Sequence, residues 1–95
     1  MLLTYVRPLE EVDALMREHM AWLREHYAAG RFVVSGRQVP RTGGVILARG
    51  DDRAELEAIV ANDPFVAGGV ATTEIVQFQA SQTAPGLERM TEPLR

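Results

Sequence analysis

His19 and Asp63 are the two residues of this 95-residue sequence whose types and settings suit proton transfer. His19 lies between Leu15 and Leu23, one helical turn from each, so helical spacing puts it on an apolar face. A histidine there is either a packed polar residue with both ring nitrogens satisfied or an acid/base group. Asp63 precedes Pro64, and Asp-Pro favours a turn in which the carboxylate bonds nearby backbone N–H groups. Its other role would be to take a hydrogen bond from one imidazole nitrogen and so fix the tautomer of the ring. Spacing does not choose between these roles. His26 follows His19 by seven residues, about 10 Å along a helix axis at 1.5 Å per residue. That is too far for both rings to hold one metal ion, which needs i,i+3 or i,i+4 spacing. His26 is expected instead at the helix C-terminus, donating to free carbonyls.

The elements that must position these residues can be traced from the apolar pattern. Leu2 to Val6 is a β-branched and aromatic run that predicts a buried strand, ended by Arg7-Pro8. Glu10, Glu11 and Asp13 place acid where a helix dipole favours it, and Gly30 supplies a stop. One helix is therefore predicted from Leu9 to Ala29, with Val12, Leu15, Met16, His19, Leu23, His26 and Tyr27 on one face. Phe32 to Gly36 and Val45 to Ala48 predict a hairpin across a polar loop containing Pro40, Gly43 and Gly44. Asp51-Asp52 with Glu55 opens a second helix whose buried stripe is Leu56, Ile59 and Val60 and which Asn62-Asp63-Pro64 ends. Val70 to Phe78 is a fourth strand, and residues 80–95, with Pro85, Gly86 and Pro93, read as an extended tail beyond a domain of residues 1–79.

The order β-α-β-β-α-β is the ferredoxin-like unit, an α+β fold with a four-stranded antiparallel sheet and two helices on one face. Strands two and three read as continuous apolar runs, which implies burial on both faces. A second copy of the sheet is the simplest cover, so a sheet-to-sheet homodimer is expected.

The pattern His19 … Gly30-Arg31 … Ser35-Gly36 … Pro40, then Asn62-Asp63-Pro64-Phe65-Val66 with Gly69-Val70, resembles the YciI-like (YCII-related) family over residues 2 to about 79. Asp-Pro-Phe followed by the Gly-Val strand entry is the most specific piece. The resemblance implies the dimeric α+β barrel superfamily, in agreement with the fold above. It also implies that His19 and Asp63 face one another at a small pocket as catalytic residues. Substrate-binding positions would be Ser35, Gly36, Arg37, Pro64 and Phe65. One departure stands out: the family's usual Gly-Pro is here Gly36-Arg37, with proline delayed to Pro40, which makes Arg37 available to an anionic ligand.

Composition narrows the function classes. The formal net charge of −3 and scattered basic residues, all arginine, argue against a nucleic-acid surface. Cysteine is absent, which excludes disulfides, thiolate nucleophiles and Cys-ligated zinc. No run approaches the length of a membrane span. The opening Leu2-Leu3-Thr4-Tyr5-Val6 lacks a basic region followed by a long apolar stretch, so the cytoplasm is the expected compartment. With no phosphate-binding glycine loop, metal constellation or cofactor motif, the expected chemistry needs proton transfers alone. Superfamily resemblance points to a lyase- or isomerase-type step on a small cyclic or aromatic compound. The alternative is a non-catalytic ligand-binding or interaction module, with the His–Asp pair as a brace.

Overall fold

The protein, seen in a computed structural model that describes residues 1–91, orders its elements β1 (Leu2–Tyr5), α1 (Leu9–Ala14), α2 (Met16–Ala28), β2 (Phe32–Arg37), β3 (Gly43–Ala48), α3 (Arg53–Ala61), α4 (Pro64–Ala67) and β4 (Ala71–Glu74). The four strands form one antiparallel sheet in the order β2-β3-β1-β4, the ferredoxin-like arrangement expected. One face carries the core: Leu3, Val12, Trp22, Leu23, Phe32, Ile46, Phe65, Val70 and Ala71. Each large side chain buried there stabilises the fold by about 1.5–3 kcal/mol.

The first helix departs from its expected course. It breaks at Leu15 (φ −104°, ψ 5°), whose N–H reaches back only to Val12 O before His19 N–H restarts the ladder on Leu15 O. No glycine or proline marks the break. Its cause is tertiary: Leu15 Cδ1 sits only 2.5 Å from where a Cβ on Gly68 would stand, so the kinked turn seats Leu15 on the bare end of α4. α2 ends as the sequence predicts, at Gly30 with φ 78°. Gly30 N–H bonds Tyr27 O and Arg31 N–H bonds His26 O, the paired closure of a Schellman motif.

The unforeseen α4 is one turn long and complete at both ends. Asp63 accepts from Phe65 N–H as N-cap, and Pro64 takes the first helical position, where its missing N–H costs nothing. Gly69, with φ 75°, closes a second Schellman motif through Gly69 N–H to Val66 O and Val70 N–H to Phe65 O. The Asp-Pro-Phe … Gly-Val sequence is thus the full specification of a short capped helix.

β2 contains a bulge. Phe32 pairs with Ala48, but the next pairing is Val34 with Leu47, leaving Val33 as the extra residue. Without it, Phe32 and Ser35, three residues apart, would point to opposite faces. With it, Phe32 enters the core, and Ser35 and Arg37, paired with Ile46 and Gly44, join the helix-covered face. The unbroken apolar run of this strand therefore reflects a change of phase rather than burial of both faces within the chain. On the opposite face Val34 and Val45 remain 56% and 42% exposed.

β4 ends at Glu74, short of the expected Phe78, because its partner β1 runs out: Glu74 already pairs with Leu2. Beyond it the chain is irregular apart from a 3-10 turn at Glu88–Thr91. The last four residues of that tail, 92–95, lie outside the described residues.

Candidate active site

α2 and α4 bring together the two residues singled out for chemistry. His19 Nδ1 lies 2.7 Å from Asp63 Oδ1, between side chains that are 11% and 0% exposed. A carboxylate can only accept, so the proton is on Nδ1 and the His19 ring is held in that tautomer. The same Oδ1 accepts from Phe65 N–H at 3.0 Å. Asp63 therefore fills both roles open to it: it caps a turn and orients an imidazole with one oxygen. Its second oxygen, Oδ2, is buried without a partner among the described residues. The His19 ring is further fixed by stacking on Phe65, centroids 3.9 Å apart and planes within 9°, an arrangement that adds about 0.5–1.5 kcal/mol.

His19 Nε2 makes no hydrogen bond to a described residue, yet it is not among the solvent-sealed polar atoms. It belongs to the wall of a cavity of about 260 Å³ enclosed by α2, β1, β2 and β3. That volume is just below the usual ligand-pocket range of roughly 300–1,000 Å³, so the cavity suits a small molecule. Gly44 lines it between Arg37 and Leu3, and a Cβ there would come within 3.3 Å of the Gly36 carbonyl oxygen.

Of the residues named from sequence, His19, Ser35, Gly36, Arg37 and Phe65 line this cavity. Asp63 stands behind His19, and Pro64 starts α4 without lining the cavity. Ser35 Oγ is 2.6 Å from Tyr27 Oη, a bond that ties β2 to the end of α2. Tyr5 and Arg41 also line the cavity and were not foreseen. Tyr5 could have been found, since strand alternation puts it on the same face as Leu3. Arg41, on the loop between β2 and β3, left no signal in the sequence.

The rim is electropositive. Arg41 donates to Asp13 and lies 5.9 Å above the Tyr5 ring centroid, within cation–π range. The hydrogen bond from Arg41, helped by the nearby Arg37 charge, holds the Asp13 carboxyl below its ordinary range, and Arg41 is in turn held above its own.

His26 does not act as a helix-end donor. It is buried against Trp22 and Phe32, with ring centroids 5.2 and 5.0 Å away, and its Nδ1 lies 3.3 Å from Arg31 Nη1. Since guanidinium can only donate, His26 Nδ1 accepts, and the last turn is closed by Gly30 and Arg31 backbone instead. Burial lowers the affinity of His26 for a proton; Glu25 opposes this and Arg31 adds to it. Trp22, which the apolar stripe of α2 should have included at i+3 from His19, is the residue that separates the two histidines.

Fold and site together define a ferredoxin-like α+β domain with a buried His–Asp pair at the wall of a small cavity. The chain belongs to the YCII-related domain family, which matches residues 1–79. A comparison with curated proteins gives no match.

Proposed function

We propose that the protein is a small-molecule enzyme in which His19 Nε2 moves a proton to and from a carbon acid held in the cavity. The observation that carries this reading is the division of labour on one imidazole: Nδ1 is committed to Asp63, while Nε2 is left unbonded at the cavity wall. With Nδ1 protonated, Nε2 presents a lone pair, as a general base requires. As His19 takes a proton, the fully buried Asp63 carboxylate balances the imidazolium charge, and its fixed position avoids reorganisation. Asp63 is the positioning residue and His19 the catalytic one. Ser35, Gly36, Arg37 and Phe65 would contact the ligand, with Pro64 acting through the placement of α4. The reaction class is elimination, isomerisation or tautomerisation, a lyase- or isomerase-type step on a small cyclic or aromatic compound. In the same reading the protein works as a homodimer joined through the open sheet face that carries Val34 and Val45.

A second reading has its own support: Asp63 Oδ1 ties α2 to the cap of α4, so the pair also braces the fold. One experiment separates the two. Small carbonyl compounds are incubated with the protein in D2O and followed by NMR for replacement of C–H by C–D. A positioned base accelerates such exchange by about 10²–10⁴-fold. Wild-type protein should catalyse exchange in at least one compound and folded His19→Asn in none. Equal exchange with His19→Asn, or none with wild type across the panel, leaves the bracing role alone.

A further inference from the structure

The charges around the cavity are unbalanced in a way the proton-transfer reading does not use. Two guanidinium groups line it, Arg37 from the inner face of β2 and Arg41 from the following loop, and no Asp or Glu does among the described residues. Arg37 makes no hydrogen bond to a described residue. Arg41 is held from outside the cavity by Asp13, near the end of α1, through Nη2. Its Nε is sealed from solvent and has no acceptor among the described residues. A buried N–H of a charged group without an acceptor is costly, so this pose of Arg41 satisfies only part of the fork. The remainder of the wall is largely apolar: Leu3, Met16, Met20, Leu23 and Phe65.

We propose that the ligand of this cavity is a small organic monocarboxylate, received by Arg41 and Arg37, and that Asp13 is the internal anion it displaces. A carboxylate is planar and matches the Nε/Nη edge of a guanidinium with two parallel bonds, which supplies the acceptor that Arg41 Nε lacks. Asp13 reaches the fork through one oxygen to Nη2 alone, so the exchange gains a bond. It also lets Arg41 turn inward beside Arg37, while the apolar wall holds the body of the ligand toward His19. The charge count favours one negative charge: Asp13, once released, is solvent-exposed and still close to both arginines, so a dianion would face its field.

This proposal rests on the His19 cavity being a substrate site, though not on proton transfer, and binding alone tests it. The full chain, labelled with ¹⁵N, is titrated with acetate, benzoate and 2-furoate, each against its primary amide, and with inorganic phosphate. At least one carboxylate should shift the amides of residues 35–37 and 41–44 and bind about tenfold or more tightly than its amide, the factor expected for a charge-assisted bond. Arg41→Gln and Arg37→Gln should each erase most of that preference, whereas Asp13→Asn should tighten carboxylate binding by removing the competitor. Amides binding as well as carboxylates, phosphate binding more tightly than every carboxylate, or no carboxylate binding even to Asp13→Asn would each overturn it. Carboxylate binding without C–H exchange removes the catalytic reading and leaves this one intact. Exchange confined to uncharged compounds does the reverse.

Discussion

Replacing Asp63 by alanine should destabilise the fold through two named donors. Asp63 Oδ1 accepts from His19 Nδ1–H at 2.7 Å and from Phe65 N–H at 3.0 Å, and the residue is fully buried. Truncation takes the acceptor from both donors, at about 1–3 kcal/mol each. Opposing this, the unpartnered Oδ2 means that the native carboxylate is only partly compensated, and its removal relieves some desolvation. The net loss should therefore lie near the low end, about 2–3 kcal/mol. A domain of this length has roughly 5–14 kcal/mol of stability in all, so the effect is large but leaves a folded protein to study. With an m-value of about 1.5 kcal/mol/M, the urea midpoint should fall by about 1.3–2 M at fixed protein concentration. Asp63→Asn keeps an oxygen for both donors but sets an amide NH2 where Oδ2 finds no partner, so it should recover little of the loss. A midpoint change below about 0.5 M for alanine would refute the shared-oxygen account.

Two other outcomes follow from particular side chains. Burial depresses the proton affinity of His26 in the folded state, so below the ordinary histidine value of about 6.5 the unfolded chain binds the extra proton first. Stability should thus fall as pH drops from that value through the folded pKa and level off beyond it; in His26→Phe, which keeps an aromatic ring beside Trp22 and Phe32, this component should vanish. Chemical denaturation of both proteins from pH 5 to 8 checks it, and a difference curve flat across that window, or sloping the other way, contradicts it. Sedimentation equilibrium at micromolar concentration should find the wild type dimeric and Val34→Glu, which puts a charge on the open sheet face, monomeric; a monomeric wild type ends the sheet-to-sheet proposal.

How far the sequence reveals the site depends on whether the determining forces are local. The α4 turn shows both sides of this. Its cap, first-turn proline and closing glycine are each residue-specific, and all of them stand in the sequence as Asp63, Pro64 and Gly69. What hid it was length, since one turn carries no periodicity. The break at Leu15 was hidden differently: helical spacing continues straight through it, and its cause is the bare surface of Gly68, distant in sequence. The bulge at Val33 was hidden in a run of three apolar residues that could equally mark a strand buried on both faces. These misreadings bear on the site, because the break and the bulge set its phase. Past the break, His19, Trp22, Leu23 and His26 form one buried stripe of α2, and the bulge turns Ser35 and Arg37 toward it. The periodic signal therefore placed His19 on the buried face of its helix while missing both irregularities beside it. Arg41 lies past the reach of such reasoning altogether, since a loop arginine gains its place only from Asp13 and Tyr5, on elements far along the chain.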